Sequence, residues 1–127
     1  MSDERGPIET ISAVTLAVTD MARSFAFYES LGFRLRYGGP DAAFTSFELH
    51  DSYVNLQPTQ APPTPGWGRV ILHVEDVDAI HARALELGYE PEMEPRDASF
   101  GERFFHLRDP DGHELSFARL LSKIRSE

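Results

Sequence analysis

The sequence predicts an α+β fold of two tandem βαβββ modules, whose curved sheets form an open, mixed, barrel-like cavity with the helices outside. Two observations carry this prediction. A pattern of strand, capped helix and three short strands occurs twice, and a Pro-rich segment at 58–66 separates the two copies. A constant offset of 56 residues matches Val14, Leu16 and Val18 with Val70, Leu72 and Val74, Asp20 with Asp76, and Gly32 with Gly88. Such a repeat indicates two supersecondary units that bury their apolar faces.

The first module covers about residues 11–57. Alternating apolar side chains over 11–19 predict a strand with one buried face. Asp20 is suited to cap a helix and Gly32 to end it. Between them an apolar stripe recurs at helical spacing, formed by Met21, Phe25, Tyr28 and Leu31. Three short strands are expected next, at 33–37, 43–49 and 53–57.

The second module covers about residues 67–118 and follows the linker at 58–66, which its four prolines keep extended. A strand, a helix from Asp76 to Gly88, and strands at 89–94, 103–108 and 113–118 are expected. The Asp-Pro-Asp-Gly sequence at 109–112 predicts a tight turn that joins the last two strands in a hairpin, because Pro presets φ and Gly accepts a positive φ. Residues 119–127 are expected to be a C-terminal tail with one helical turn. A chain of this length is expected to be a single domain.

Composition limits the classes of partner. The formal net charge of −9 argues against nucleic acid and against anionic membrane surfaces. The absence of cysteine excludes disulfides, a thiolate nucleophile and a zinc–sulfur site. No apolar run reaches the length of a membrane span, and residues 1–5 lack the shape of a signal peptide, so a cytoplasmic protein is expected.

Strand alternation also predicts which side chains face the cavity. The expected ligand-binding residues are Tyr53 and Asn55 from the fourth strand, Arg69 and His73 from the fifth, Phe104 and His106 from the seventh, Glu114 and Ser116 from the eighth, and Trp67 from the end of the linker. Trp67 either covers the cavity mouth or a subunit contact, or packs as a hinge residue.

Two of these residues have alternative interpretations. A guanidinium inside a cavity needs a partner, so Arg69 either forms an ion pair with Glu114 or Glu48 or binds an anionic ligand group. His73 is either a hydrogen-bonded core residue or a general base. His113 lies at the predicted turn and is expected to be solvated.

Segments of both modules resemble the vicinal oxygen chelate superfamily, which contains glyoxalase I, extradiol dioxygenases and bleomycin-resistance proteins. They include Val14-Thr15-Leu16-Ala17-Val18-Thr19-Asp20, Leu31-Gly32-Phe33, Leu87-Gly88-Tyr89 and Asp109-Pro110-Asp111-Gly112-His113. The resemblance covers residues 11–118 and implies the glyoxalase/bleomycin-resistance fold. Four strand positions hold the metal in the family's metalloenzymes. In this chain they are Ala13, Asn55, Arg69 and Ser116, which are poor ligands. The resemblance therefore implies no metal at the usual site and no cofactor.

Two functions remain open from the sequence. Metal-free bleomycin-resistance proteins sequester a drug between two subunits, which implies a metal-independent small-molecule-binding protein that works as a homodimer. The alternative is a glyoxalase- or dioxygenase-like enzyme whose metal has moved to His73, His106 and Glu114. A metal-free lyase or isomerase with His73 as its base lies between these two.

Overall fold

A computed structural model describes residues 4–121 and contains two four-stranded sheets with one helix each. The α+β class and the repeated βαβββ order are confirmed. In chain order the elements are β1 (Ala13–Val18), α1 (Met21–Ser30), β2 (Arg34–Tyr37), β3 (Thr45–Glu48), β4 (Tyr53–Pro58), β5 (Arg69–His73), α2 (Val77–Glu86), β6 (Arg96–Asp97), β7 (Glu102–Arg108) and β8 (Glu114–Leu120).

The two sheets repeat one topology. Their strand orders are β1-β4-β3-β2 and β5-β8-β7-β6. The pairs β1–β4 and β5–β8 are parallel, and the other pairs are antiparallel. The sheets do not close on each other into a barrel, so the barrel-like cavity expected from the sequence is open on this chain.

Both helices begin as their N-caps predict. The side chain of Asp20 accepts a hydrogen bond from the Arg23 amide at 3.1 Å, and the side chain of Asp76 accepts one from the Ala79 amide at 3.1 Å. Gly32 follows the first helix with a φ of 109°, a conformation that glycine adopts without steric cost. Each helix packs on its own sheet, α1 on β4 and α2 on β7 and β8.

The helix-facing side of each sheet is apolar and buried. In the second module Phe105 and Phe117 stack at 5.3 Å between ring centroids and are at most 1% exposed. In the first module Tyr28 and Phe47 are fully buried. Because side chains alternate along a strand, the other side of each sheet carries the predicted ligand-binding residues, away from this core.

Two stretches differ from the predicted boundaries. The strand expected at 89–94 is displaced to the two-residue β6, since Pro91 and Pro95 cannot donate ladder hydrogen bonds. The Glu92 amide still donates to the His106 carbonyl at 2.9 Å. Strand β8 continues to Leu120, and residues 122–127 of the expected tail lie outside the described residues. Within residues 4–121 no helix has the length and apolar character needed to cross a membrane.

The Asp-Pro-Asp-Gly turn joins β7 to β8 as predicted and also fastens the second module to α1. The Tyr28 hydroxyl donates to Asp109 Oδ2 at 2.6 Å, and the Thr19 hydroxyl donates to Asp111 Oδ1 at 2.7 Å. Asp109 is buried, and its Oδ1 accepts hydrogen bonds from the amides of Asp111 and His113. The turn is therefore a contact between the modules as well as a hairpin loop.

Candidate functional site

The candidate site lies on the side of the second sheet that faces away from α2. The strand register places Arg69 opposite Glu114, Ile71 opposite Ser116, and His106 opposite Ser116 on the other edge of β8. We call this surface the open face, defined by Arg69, Ile71, His73, Phe104, His106, Glu114 and Ser116. The sequence-predicted residues of β5, β7 and β8 thus share one surface, because the strand registers hold.

Arg69 forms the ion pair with Glu114 that was one of its two sequence interpretations. Its Nη2 lies 3.2 Å from Glu114 Oε1, and the Arg69 side chain is 43% exposed. This contact does not meet hydrogen-bond geometry, and within residues 4–121 the guanidinium donates no hydrogen bond. Arg69 is therefore partly neutralised, while its N–H donors remain available.

Ser116 lies at the centre of the open face, between Ile71 on β5 and His106 on β7. It is only 5% exposed, and in the described part of the chain its hydroxyl has no hydrogen-bond partner. Buried hydroxyls are nearly always hydrogen-bonded, because a missing partner costs free energy. An unpartnered hydroxyl here is the kind of exception that indicates a ligand or a bound water.

His106 is held in its neutral form. Burial is the largest cause of its lowered pKa, and the positive charge of Arg69 is the next. Its ring lies 5.1 Å from the ring of Phe104, which lies 6.1 Å from the exposed ring of Phe100. The Arg96 guanidinium sits 5.5 Å from the centroid of Phe104. The open face therefore combines a short aromatic row with a neutral imidazole.

Glu92 belongs to this cluster and is absent from the sequence-based set. Donor atoms of Glu92, His106 and Glu114 lie within 4.8 Å of one another, and this is the one such cluster among residues 4–121. Glu92 lies in the irregular segment before β6, where no alternation pattern exists to assign its direction. Arg108 donates to Glu92 through its Nε, so both carboxylates of the cluster have a guanidinium partner.

His73 does not join this cluster. Its Nε2 lies 3.0 Å from Glu102 Oε2, and its register partner is Ala118, two residues along β8 from Ser116. The predicted trio of His73, His106 and Glu114 is therefore wrong in one member. His73 is also exposed, so it is not the buried core residue that was one of its interpretations.

Tyr53 and Asn55 lie on the corresponding face of the first sheet. Asn55 donates to the Thr15 hydroxyl at 3.2 Å, and the Arg36 guanidinium lies 4.6 Å from the Tyr53 ring centroid. A groove of about 320 Å³ lies along the same side of β1 and β4, against residues that include Thr15 and Gln57. The contacts of these residues are with their own sheet.

Trp67 and His113 form a hinge contact, which was one of the interpretations of Trp67. The Trp67 Nε1–H donates to His113 Nδ1 at 2.9 Å, so the proton of the neutral imidazole is on Nε2, which donates to the Ala17 carbonyl at 2.7 Å. His113 is only 4% exposed, and its expected solvation is wrong. The side chain is buried because it bridges the linker to β1, a contact between residues far apart in sequence.

Comparison with known proteins places these features in a family context. The family model described as Glyoxalase/Bleomycin resistance protein/Dioxygenase superfamily matches residues 10–117. TioX from Micromonospora sp. ML1 is 27% identical, with a TM-score of 0.71 over 89% of this chain and 100% of that one. No curated protein sequence matches.

Two further solved structures share the fold at lower identity. A glyoxalase family protein from Bacillus anthracis is 18% identical, with a TM-score of 0.77 over 91% of this chain and 98% of its own. A lactoylglutathione lyase from Agrobacterium tumefaciens is 20% identical, with a TM-score of 0.72 over 94% of this chain and 98% of its own. At these identities the likeness concerns the fold alone.

Proposed function

The chain belongs to the glyoxalase/bleomycin resistance protein/dioxygenase superfamily, and from this premise we propose that it is a metal-independent small-molecule-binding protein that sequesters an antibiotic or a metabolite. One observation carries the proposal. The open face presents free Arg69 donors and the unpartnered, buried Ser116 hydroxyl side by side. Polar groups that converge without protein partners are the expected mark of a ligand site.

Metal independence is supported by the donor chemistry. Ala13, Asn55, Arg69 and Ser116 stand at the positions that the resemblance assigns to metal ligands, and none of them is a carboxylate or an imidazole. A divalent cation at those positions would face one guanidinium and two weak oxygen donors. The binding we propose therefore uses hydrogen bonds, charge and aromatic surface.

We further propose that a second copy of the chain completes the site, as a homodimer. The sheets do not close within one chain, and the exposed apolar side chains on or beside the open face include Ile71 at 59% and Phe100 at 72% exposure. An apolar surface of this kind is covered in many symmetric dimers.

The dimer is tested by light scattering after gel filtration. We expect a mass of two chains, and a single chain for Ile71→Asp. Leu85→Asp is the matched control, since Leu85 is similarly exposed at 55% but lies on α2. A wild-type protein that elutes as one chain at about 100 μM would contradict the dimer, because stable dimers typically bind far below this concentration.

The binding function is tested by a thermal-shift screen of organic compounds, with metal content measured on the same preparation. We expect stabilisation by at least one compound class. We also expect less than about a tenth of an equivalent of transition metal, unchanged after incubation with zinc, nickel, manganese or iron. A screen without any stabilising organic compound would count against the proposal.

The second candidate is an enzyme with a relocated metal, and the convergence of Glu92, His106 and Glu114 favours it. Two carboxylates and a neutral imidazole form a suitable donor set for a divalent metal. Against it stands the pairing of both carboxylates with Arg69 and Arg108, because a dication would enter an already neutralised cluster beside two guanidiniums. Near one equivalent of bound metal that is lost in His106→Ala would favour this enzyme.

A further inference from the structure

We infer that the ligand of the open face carries an oxyanion, which the Arg69 guanidinium and the Ser116 hydroxyl bind together. This inference rests on the proposed binding function and names the ligand class. Arg69 and Glu114 are register partners, and Ile71 and Ser116 are the next pair on the same face. Adjacent strands lie about 4.8 Å apart and two residues rise about 6.6 Å, so the Cα atoms of Arg69 and Ser116 are separated by roughly 8 Å. The long arginine side chain spans this distance.

Arg69 differs from the other arginines that pair with carboxylates in the second module. Arg103 donates to Asp78 at 2.9 and 2.8 Å and to Asp97 at 3.0 Å. Arg108 donates to Glu92 and, at 3.4 Å, to the Gly112 carbonyl. Arg69 makes only a 3.2 Å ion-pair contact through one nitrogen. Its planar set of donors is therefore the part of a carboxylate- or phosphate-binding fork that remains open.

The open face offers a surplus of hydrogen-bond donors. Each carboxylate of the cluster already has a guanidinium partner, in the pairs Arg69–Glu114 and Arg108–Glu92. The Ser116 hydroxyl is a donor without an acceptor among residues 4–121, and neutral His106 beside it carries one further N–H. These groups lack acceptors, which an oxyanion supplies and an ammonium group does not.

The ligand also needs an apolar part. Ile71 shares the face with Ser116 and is 59% exposed, and the ring of Phe100 is 72% exposed beside Phe104. Benzoate combines an aromatic ring with a carboxylate and is therefore the first probe. Benzamide, which is neutral, and benzylamine, which is cationic, keep the ring and change only the polar group. Phenyl phosphate tests the other common oxyanion.

Binding of these probes is measured by titration of amide chemical shifts on the full chain. We expect benzoate or phenyl phosphate to bind at least about tenfold more tightly than benzamide and benzylamine, as one charge-assisted hydrogen bond allows. The tighter of the two distinguishes a carboxylate site from a phosphate site. Arg69→Met is expected to lose this preference. Arg119→Met is the matched control, since Arg119 lies on β8 with its side chain on the opposite face.

Ser116→Ala keeps the inference testable if Arg69→Met does not fold. We expect weaker benzoate binding by about tenfold with an unchanged or higher Tm, because the variant removes a buried hydroxyl that has no protein partner. A purely structural Ser116 would instead lower the Tm and leave the affinity for benzoate unchanged.

Three results would overturn the inference: no binding of either anion, equal binding of benzoate and benzamide, or tighter binding of benzylamine. If neutral or cationic compounds bind the open face in any of these cases, the binding function stands and the oxyanion is wrong. If no organic compound binds, both proposals fail.

Discussion

The hydrogen bond from Tyr28 to Asp109 is expected to hold the two modules together, and Tyr28→Phe tests this directly. The phenol and the carboxylate are 2.6 Å apart, Tyr28 is fully buried, and Asp109 is 5% exposed. The other oxygen of Asp109 already serves the amides of Asp111 and His113. Removal of the hydroxyl therefore leaves Oδ2 without a partner among the described residues, in a place where water has little access.

The expected loss follows from the charge on the acceptor. Hydrogen bonds to charged groups contribute about 1.5–3 kcal/mol to the free energy of unfolding, and the stranded carboxylate places Tyr28→Phe in the upper part of that range. With a urea m value of about 1.5 kcal/mol/M, the unfolding midpoint should fall by about 1–2 M. Burial and then Asp109 raise the pKa of Tyr28 well above its usual range. The phenol therefore stays protonated and donates its proton throughout the ordinary pH range.

The assay is urea unfolding followed by circular dichroism. Tyr37→Phe is the matched control, because Tyr37 is 62% exposed and should change the stability by less than about 0.5 kcal/mol. A double-mutant cycle with Asp109→Asn isolates the coupling between the two side chains. Since the pKa of Tyr28 is raised on folding, its contribution is complete below the unfolded value near 10 and is lost as the pH rises further. A loss in Tyr28→Phe no larger than in Tyr37→Phe would refute the reasoning.

Two further predictions concern backbone geometry and pH. Gly38→Ala should cost about 3 kcal/mol or more, because φ is 91° and the new Cβ would lie 2.3 Å from the Phe44 carbonyl oxygen, whereas Gly32→Ala, with a φ of 109° and open space, should cost about 1–2 kcal/mol in urea unfolding; equal costs would contradict the steric argument. The pKa of His106 is lowered on folding, so the unfolded state binds more protons as the pH falls below about 6.5, and His106→Gln should reduce the loss of stability between pH 7.5 and 5.5. His50→Gln, at an exposed position, should leave the pH dependence of the unfolding midpoint unchanged, and the same unchanged profile in His106→Gln would contradict the prediction.

The sequence by itself determined the features that depend on neighbours along the chain. Asp20 and Asp76 cap their helices because a side-chain oxygen reaches an amide three residues later. Strand alternation placed Arg69, His106 and Ser116 on one face, because the side-chain period of a strand is two wherever it lies. The repeat at an offset of 56 residues predicted that the second module would follow the topology of the first.

The tertiary structure alone decided the features that join residues far apart in sequence. Glu92 reaches the cluster of His106 and Glu114 from a segment without regular structure, so no periodicity could indicate its direction. His113 looked solvated at a turn, but it is buried because Trp67 and the Ala17 carbonyl bind its two ring nitrogens. Whether a polar group finds a partner depends on which distant atoms the fold brings within about 3 Å, and this distance is a property of packing rather than of local sequence.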